Sequence, residues 1–272
     1  MKWFNKTVTP TQITNLDRLW LYSFSTIVLV ALVVPTLIVI PMSFSDSQYL
    51  EFPPRSYSFR WYQSYFESSE WVRATIVSLR AAALTSVFAT VIGTAAAYGI
   101  RVGSNFLAAP ISAIFVLPMA VPAILIAIGS LFIFVPLGLV NTTAGLVLAH
   151  TMLALPFVVI VTTAGLASYD MNQEMVARSL GATRARAFFT VTLPQIKFSV
   201  MTSALFAFFV SFDEVVIAMF VSNGTGGTLN RKMFNALRDQ VDPTIAAIST
   251  CLIAVSITLL MLAQIFRPRS DR

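Results

Sequence analysis

The chain has 272 residues, of which 57% are apolar and 11% charged, and its mean hydropathy is +0.78. Soluble domains carry roughly 25% charged residues, so a water-facing globule is excluded and a membrane protein is implied. One cysteine, Cys251, and one histidine, His150, leave no internal disulfide framework and no Cys/His metal centre. The net charge of +6 fits basic loops at a membrane surface, with no nucleic-acid partner.

A helical crossing takes about 20 mainly apolar residues. Six runs qualify, in chain order Leu19 to Ser43, Val72 to Ile100, Ala108 to Phe134, Thr143 to Ala167, Phe198 to Val221 and Thr244 to Phe266. The first is longer than the ~7–15 residues of a signal-peptide core and lacks a small-residue cleavage site, so it reads as a retained span. Between the first two runs, Phe52-Pro53-Pro54 and Trp61-Tyr62 belong to a loop whose aromatics suit a membrane–water interface. Pro118 and Pro122 are expected to kink the third run. Six spans put both termini on one side. With termini inside, eleven Lys and Arg fall on inner segments and six on outer ones, with Arg80 inside a span, so the termini are expected to be cytoplasmic. The expected domains are residues 1–71 (N-terminal segment, first span and outer loop), 72–267 (the transmembrane domain) and a tail at 268–272.

Between the fourth and fifth runs lie about thirty residues, 168–197, where most connections are short. They read as helix, turn, helix: Gln173 to Leu180 is helix-prone, Gly181 supplies a left-handed turn residue, Thr183 caps Arg184 to Thr190, and Leu193-Pro194 ends the piece. Two uses are open from charge alone. Arg178, Arg184 and Arg186 face lipid phosphates, or the short helix docks into a groove of a soluble partner.

Gly181, nine intervening residues, Val191, Thr192 and then Leu193-Pro194 resemble the cytoplasmic signature of permease subunits in binding-protein-dependent ABC importers. That signature begins Glu-Ala-Ala, where this chain has Met175-Val176-Ala177 with Glu174 one place early. SFDEVVIAMFVS in the fifth run, FPPRSYSFRWY in the first outer loop, LPMAVPAILIAIG and LAHTMLALPFVV are similar to the spermidine/putrescine type within that family. The resemblance implies an all-α polytopic membrane protein with six transmembrane helices, the type I ABC importer permease (MetI-like) fold, in the bacterial inner membrane. It further implies a second permease subunit, homologous or identical, two ATP-binding cassette subunits that bind ATP and Mg, and a periplasmic substrate-binding protein. Residues 168–197 become the coupling loop. Glu174, Ala177, Arg178, Gly181, Ala182, Arg184, Leu193 and Pro194 are its candidate contacts with the ATPase. The small residues would allow close approach, and Arg178 or Arg184 would pair with acids.

No phosphate-binding G-x-x-x-x-G-K-[ST] loop occurs, and Gly224-Thr225-Gly226-Gly227 lacks the lysine and reads as a turn. ATP hydrolysis is therefore assigned to another subunit, and no cofactor or catalytic residue to this chain. Asp213 and Glu214 fall inside the fifth run, about 22 Å along a continuous helix from Phe198. Ionisable groups at such depth face a bundle interior or a wet cavity. They read as a substrate pathway for a small cation, or as a structural pair with Arg80, although adjacent acids point about 100° apart on a helix. His150 either satisfies a neighbouring helix or relays protons, and Tyr98, Phe208 and Phe212 are candidates to stack on an ammonium group. Import of an amino-acid derivative or opine is the nearest alternative. An ion-coupled carrier is the more distant one, since no paired pattern of broken helices is visible.

Overall fold

The computed structural model describes residues 18–103, 105–239 and 241–265. The expected segment ahead of residue 18 and the tail at 268–272 lie outside them. Among the described residues the chain is helical, with one isolated antiparallel bridge between Ser45 and Tyr57. It divides into two compact units, one made of Met1–Glu67 with Ala236–Arg272 and the other of Ser68–Asn235.

The first unit opens with α1 (Leu19–Met42), whose side chains are exposed from Leu19 to Leu37. A rod of Leu, Val and Ile without a charge is stable in that state only in lipid or against another membrane helix. The loop after it holds a ring cluster of Phe44, Phe59 and Tyr62 and the short helix α2 (Arg60–Glu67).

The second unit begins with α3 (Ser69–Val102), capped by the Ser68 hydroxyl, which accepts from Trp71 N–H. The third apolar run is two helices, α4 (Asn105–Val116) and α5 (Ala123–Phe134), which meet at 103° across the 3₁₀ turn Leu117–Ala120. The expected kink is thus a break. Pro118 and Pro122 each lack an N–H, and Pro122 holds Val121 extended at φ −93° and ψ 130°, so the helix cannot pass. Then follow α6 (Thr143–Ala167), α7 (Asn172–Ser179), α8 (Arg184–Ala187), a π-helical turn at Phe188–Thr192 and α9 (Leu193–Gln195).

The fifth run, expected as one helix to Val221, is also interrupted. α10 (Lys197–Asp213) stops, Glu214 is extended at ψ 120°, and α11 (Val216–Val221) restarts. Two interrupted spans therefore exist where none were expected as a pair. The amphipathic α12 (Leu229–Asp239) and the apolar α13 (Thr244–Ile265) complete the chain, and α13 packs on α1 and α2 within the first unit.

The centre of the second unit is a bundle of α3, α6 and α10. Its buried positions are mostly small: Ala81, Ala89 and Ala97 on α3, Ala149 and Ala154 on α6, Ser203 and Ala207 on α10. Lipid gives helices no hydrophobic reason to associate, so close packing and interhelical hydrogen bonds must do it. Ser86 Oγ donates to Ala204 C=O at 2.7 Å, which ties α3 to α10. A Cβ on Gly93 would stand 2.5 Å from Val158 Cγ1, and one on Gly165 would stand 2.5 Å from Ser199 Cβ. α5 and α11 pack on α6 through Ile126, Ala127, Ala149, Ile217 and Val221.

Gly93→Leu should lower thermal stability in detergent by about 1–3 kcal/mol as α3 is forced off α6. Gly99, whose Cβ would meet nothing within 4 Å, is the control. Gly99→Ala should be neutral or stabilise by up to about 1 kcal/mol.

Candidate functional site

The loop between α6 and α10 is ordered by its own caps. Asp170 accepts from Asn172 N–H at 3.0 Å at the start of α7. At its end Gly181 takes φ +93°, so that Gly181 N–H reaches Arg178 C=O at 3.0 Å and Ala182 N–H reaches Ala177 C=O at 3.1 Å. Only glycine enters that region without strain, and the pair of bonds satisfies two of the helix's last carbonyls. Thr183 Oγ1 accepts from Arg186 N–H at 3.3 Å, the cap expected from the sequence.

The piece ends one residue past Leu193-Pro194, at Gln195. The chain stays helical through the π turn and α9, then turns by 80° into α10 at Ile196. Pro194 is tolerated because it sits in the first turn of α9, where an N–H needs no partner within that turn. Ile196 is itself buried with Ala97, Leu166 and Tyr169, which holds the bend.

The loop's surface is apolar at its tip. Met175 and Val176 are exposed, Leu180 is 84% exposed, and Arg178, Arg184 and Arg186 are exposed beside them. Gly181 and Pro194 are exposed as well, while Ala177, Ala182 and Leu193 are half-buried.

Glu174 is different, for it is 2% exposed. Its Oε1 accepts from the Tyr98 hydroxyl at 2.6 Å and its Oε2 from the Thr192 hydroxyl at 2.5 Å. Both lengths lie in the charge-assisted range for O–H donors to a carboxylate. Tyr98, considered as a stacking partner for an ammonium group, is thus committed at the loop end of α3. Its ring packs on Phe188, with centroids 4.6 Å apart. No sequence pattern marks this trio, because it joins residues 76 and 18 positions apart.

At the other end of α10 the two acids part company. Glu214 Oε1 accepts from Ile217 N–H at 2.9 Å, satisfying a donor in the first turn of α11 that the break leaves unpaired. Asp213 is exposed, and its Oδ1 accepts from Asn230 Nδ2 at 3.3 Å. Arg80 is exposed and, among the described residues, pairs with neither. His150 is fully buried, with Nδ1 2.8 Å from Ser211 Oγ, so it joins α6 to α10. Phe208 and Phe212 stack on each other with centroids 5.9 Å apart.

Near the start of α3 lies a recess of about 610 Å³ lined by Glu70, Arg73, Arg231, Lys232 and Asn235. Lys232 donates to Glu70 at 2.7 Å and stands 4.7 Å over the Trp71 ring. Arg231 donates to Ser222 C=O and to the Asn223 side chain, and Gly224–Gly226 forms a 3₁₀ turn with Gly224 at φ +57°. That glycine run is a turn, as its sequence suggests. Among the described residues no three His, Cys, Asp or Glu side chains gather to hold a metal.

A family model described as the binding-protein-dependent transport system inner membrane component matches residues 89–272. The chain belongs to that family. This permease is 26% identical over 252 residues to the spermidine/putrescine transport system permease protein PotC of Haemophilus influenzae, covering 92% of this chain and 96% of the relative. It is 32% identical over 230 residues to the putrescine transport system permease protein PotI of Escherichia coli, covering 80% of each. Its fold is like that of a solved bacterial ABC transporter involved in the import of the acidic polysaccharide alginate, with TM-score 0.71 and 14% identity over 96% of this chain and 100% of that one. The all-α, type I importer fold implied by the sequence is therefore the fold of this multi-pass membrane protein; among the described residues three helices are long and apolar enough to cross a membrane, or up to five when each bent pair is taken as one span.

The two acids of the permease should separate in stability measurements. Glu214→Ala removes a helix-start acceptor and should cost about 1 kcal/mol. Asp213→Asn, at an exposed side chain, should stay within about 0.5 kcal/mol. Thermal unfolding of the purified protein in detergent reads both.

Proposed function

We propose that this permease carries a small organic cation, a polyamine of the putrescine or spermidine kind, inward through the membrane on ATP hydrolysed by separate subunits. The observation that carries this reading is the interrupted fifth span. It leaves the Asp213 carboxylate exposed at the end of α10, where the neutral Asn230 amide donates to it. An acid at membrane depth is costly unless it meets a cation or water. A single exposed carboxylate suits transit, since a site that passes cargo on must also release it. Glu214 supports the site by capping α11 and so holding the break open. The names of the relatives that this chain resembles support the same cargo class.

Membership of the family supports the same reading of the remaining parts of the machine. A second permease, equal or homologous, completes the pathway. Two ATP-binding cassette subunits, with ATP and Mg, receive the inner loops. There the exposed Met175, Val176 and Leu180 enter an apolar cleft, and Arg178 and Arg184 meet acids at its rim. A periplasmic binding protein delivers cargo to the opposite face, and both termini are cytoplasmic. Alternating access then needs cargo, nucleotide and binding protein to prefer different states of the pathway.

Vesicles holding the permease with its ATPase and binding protein should accumulate putrescine or spermidine only with hydrolysable ATP. Uptake that continues after the ATPase is disabled would mark an ion-coupled carrier instead, and uptake of an opine in place of polyamines would correct the cargo. Asp213→Asn should lower cation uptake by about tenfold, which is about 1.4 kcal/mol of lost attraction. Leu180→Asp should release the ATPase subunit on co-purification.

A further inference from the structure

Glu174 is the one charged side chain among the described residues that is buried, and neither cargo attraction nor surface docking uses it. Its two oxygens take one hydroxyl each, from two different parts of the bundle. Tyr98 belongs to α3, and Thr192 closes the π turn that feeds the 80° bend into α10. Thr192 is fully buried, and the Tyr98 ring lies against Phe188 in the same turn. Any tilt of α7 must therefore stretch both bonds or move α3 and α10 with it. Buried polar groups linked in this way are expensive to separate, because each would be left without a partner away from water. π-helical turns, which carry one residue more than the α-helical register, recur at functional sites.

We infer that Glu174 is a positioning residue for energy coupling: a tie inside this chain that makes α7, α3 and α10 move as one, not a contact on the ATPase. The inference rests on the reading of residues 168–197 as the seat of the ATPase. α10 is 17 residues long, about 25 Å at 1.5 Å per residue. A displacement entering at the Thr192 end thus leaves at Asp213 and the break beyond it. The tie delivers nucleotide-driven motion of the loop to the cation site along one helix.

Three variants of the assembled transporter in vesicles separate this role from its rivals. Glu174→Gln keeps a carbonyl that accepts from one hydroxyl and an amide that donates to the other, so coupled uptake should persist. Glu174→Met keeps the length of the side chain and leaves both hydroxyls without a partner. ATP hydrolysis and co-purification of the ATPase should be retained, while solute moved per ATP falls by about tenfold, within the range of site-to-site coupling. Thr192→Val removes the arm toward α10 at constant shape and should uncouple in the same sense, which keeps the test alive if the Met variant does not fold. Loss of the ATPase from either Glu174 variant would make Glu174 a docking contact and overturn the inference. So would normal coupling in both Glu174→Met and Thr192→Val. Leu180→Asp serves as the separate check: if it leaves the ATPase bound, the docking face fails, whatever Glu174 does.

Discussion

Everything in the second unit depends on how closely α3, α6 and α10 approach. Apolar side chains gain little by leaving lipid for one another, so the three helices associate only where backbones come near enough for dense packing and short polar contacts. The chain meets that demand with alanine, serine and glycine at the crossings. Gly93 leaves room for Val158 and Gly165 for Ser199. The gap so closed lets Ser86 reach the Ala204 carbonyl and His150 reach Ser211. Larger residues would move those donors out of range, and the hydrogen bonds would be lost with the packing.

A bundle held in this way confines change to its ends, and there the helices are interrupted. α4 meets α5 at 103°, α9 meets α10 at 80°, and α10 gives way to α11 at Glu214. Each interruption frees backbone groups that lipid cannot satisfy. At the α11 start a carboxylate supplies the missing acceptor. At the loop end the helix is not unwound but changes register through the π turn, and the side chain of Thr192 is spent on Glu174. Glu214 thus serves the backbone at one interruption and Glu174 the loop at the other, while Asp213 stays exposed beside Asn230.

Much of this was legible in the sequence. Hydropathy runs located the apolar helices, because transfer energy sums over residues whatever the backbone does. For the same reason they are blind to a break within a run. The break at Pro118 and Pro122 had a local cause that could be read, since a residue before proline avoids the helical region. That at Glu214 did not: Val215, Val216 and Ile217 continue the apolar run, and an acid that caps a helix start looks the same as an acid in the middle of a span. Gly181 and Thr183 were legible because their roles are set by neighbours within three residues. Tyr98 and Thr192 were not, because their partner is reached only after the bundle has folded.

The burial of Glu174 then explains how so short a helix can hold a fixed direction. α7 has eight residues, below the length of about 12–15 at which isolated helices become stable in water. Its exposed face of Met175, Val176 and Leu180 contributes nothing to its own order while no partner covers it. Local caps fix its two ends but give it no fixed direction relative to the bundle. The Tyr98 and Thr192 hydroxyls supply that direction from two helices at once. An apolar side chain of the same length, which can accept from neither hydroxyl, would leave α7 folded by its caps yet without that direction.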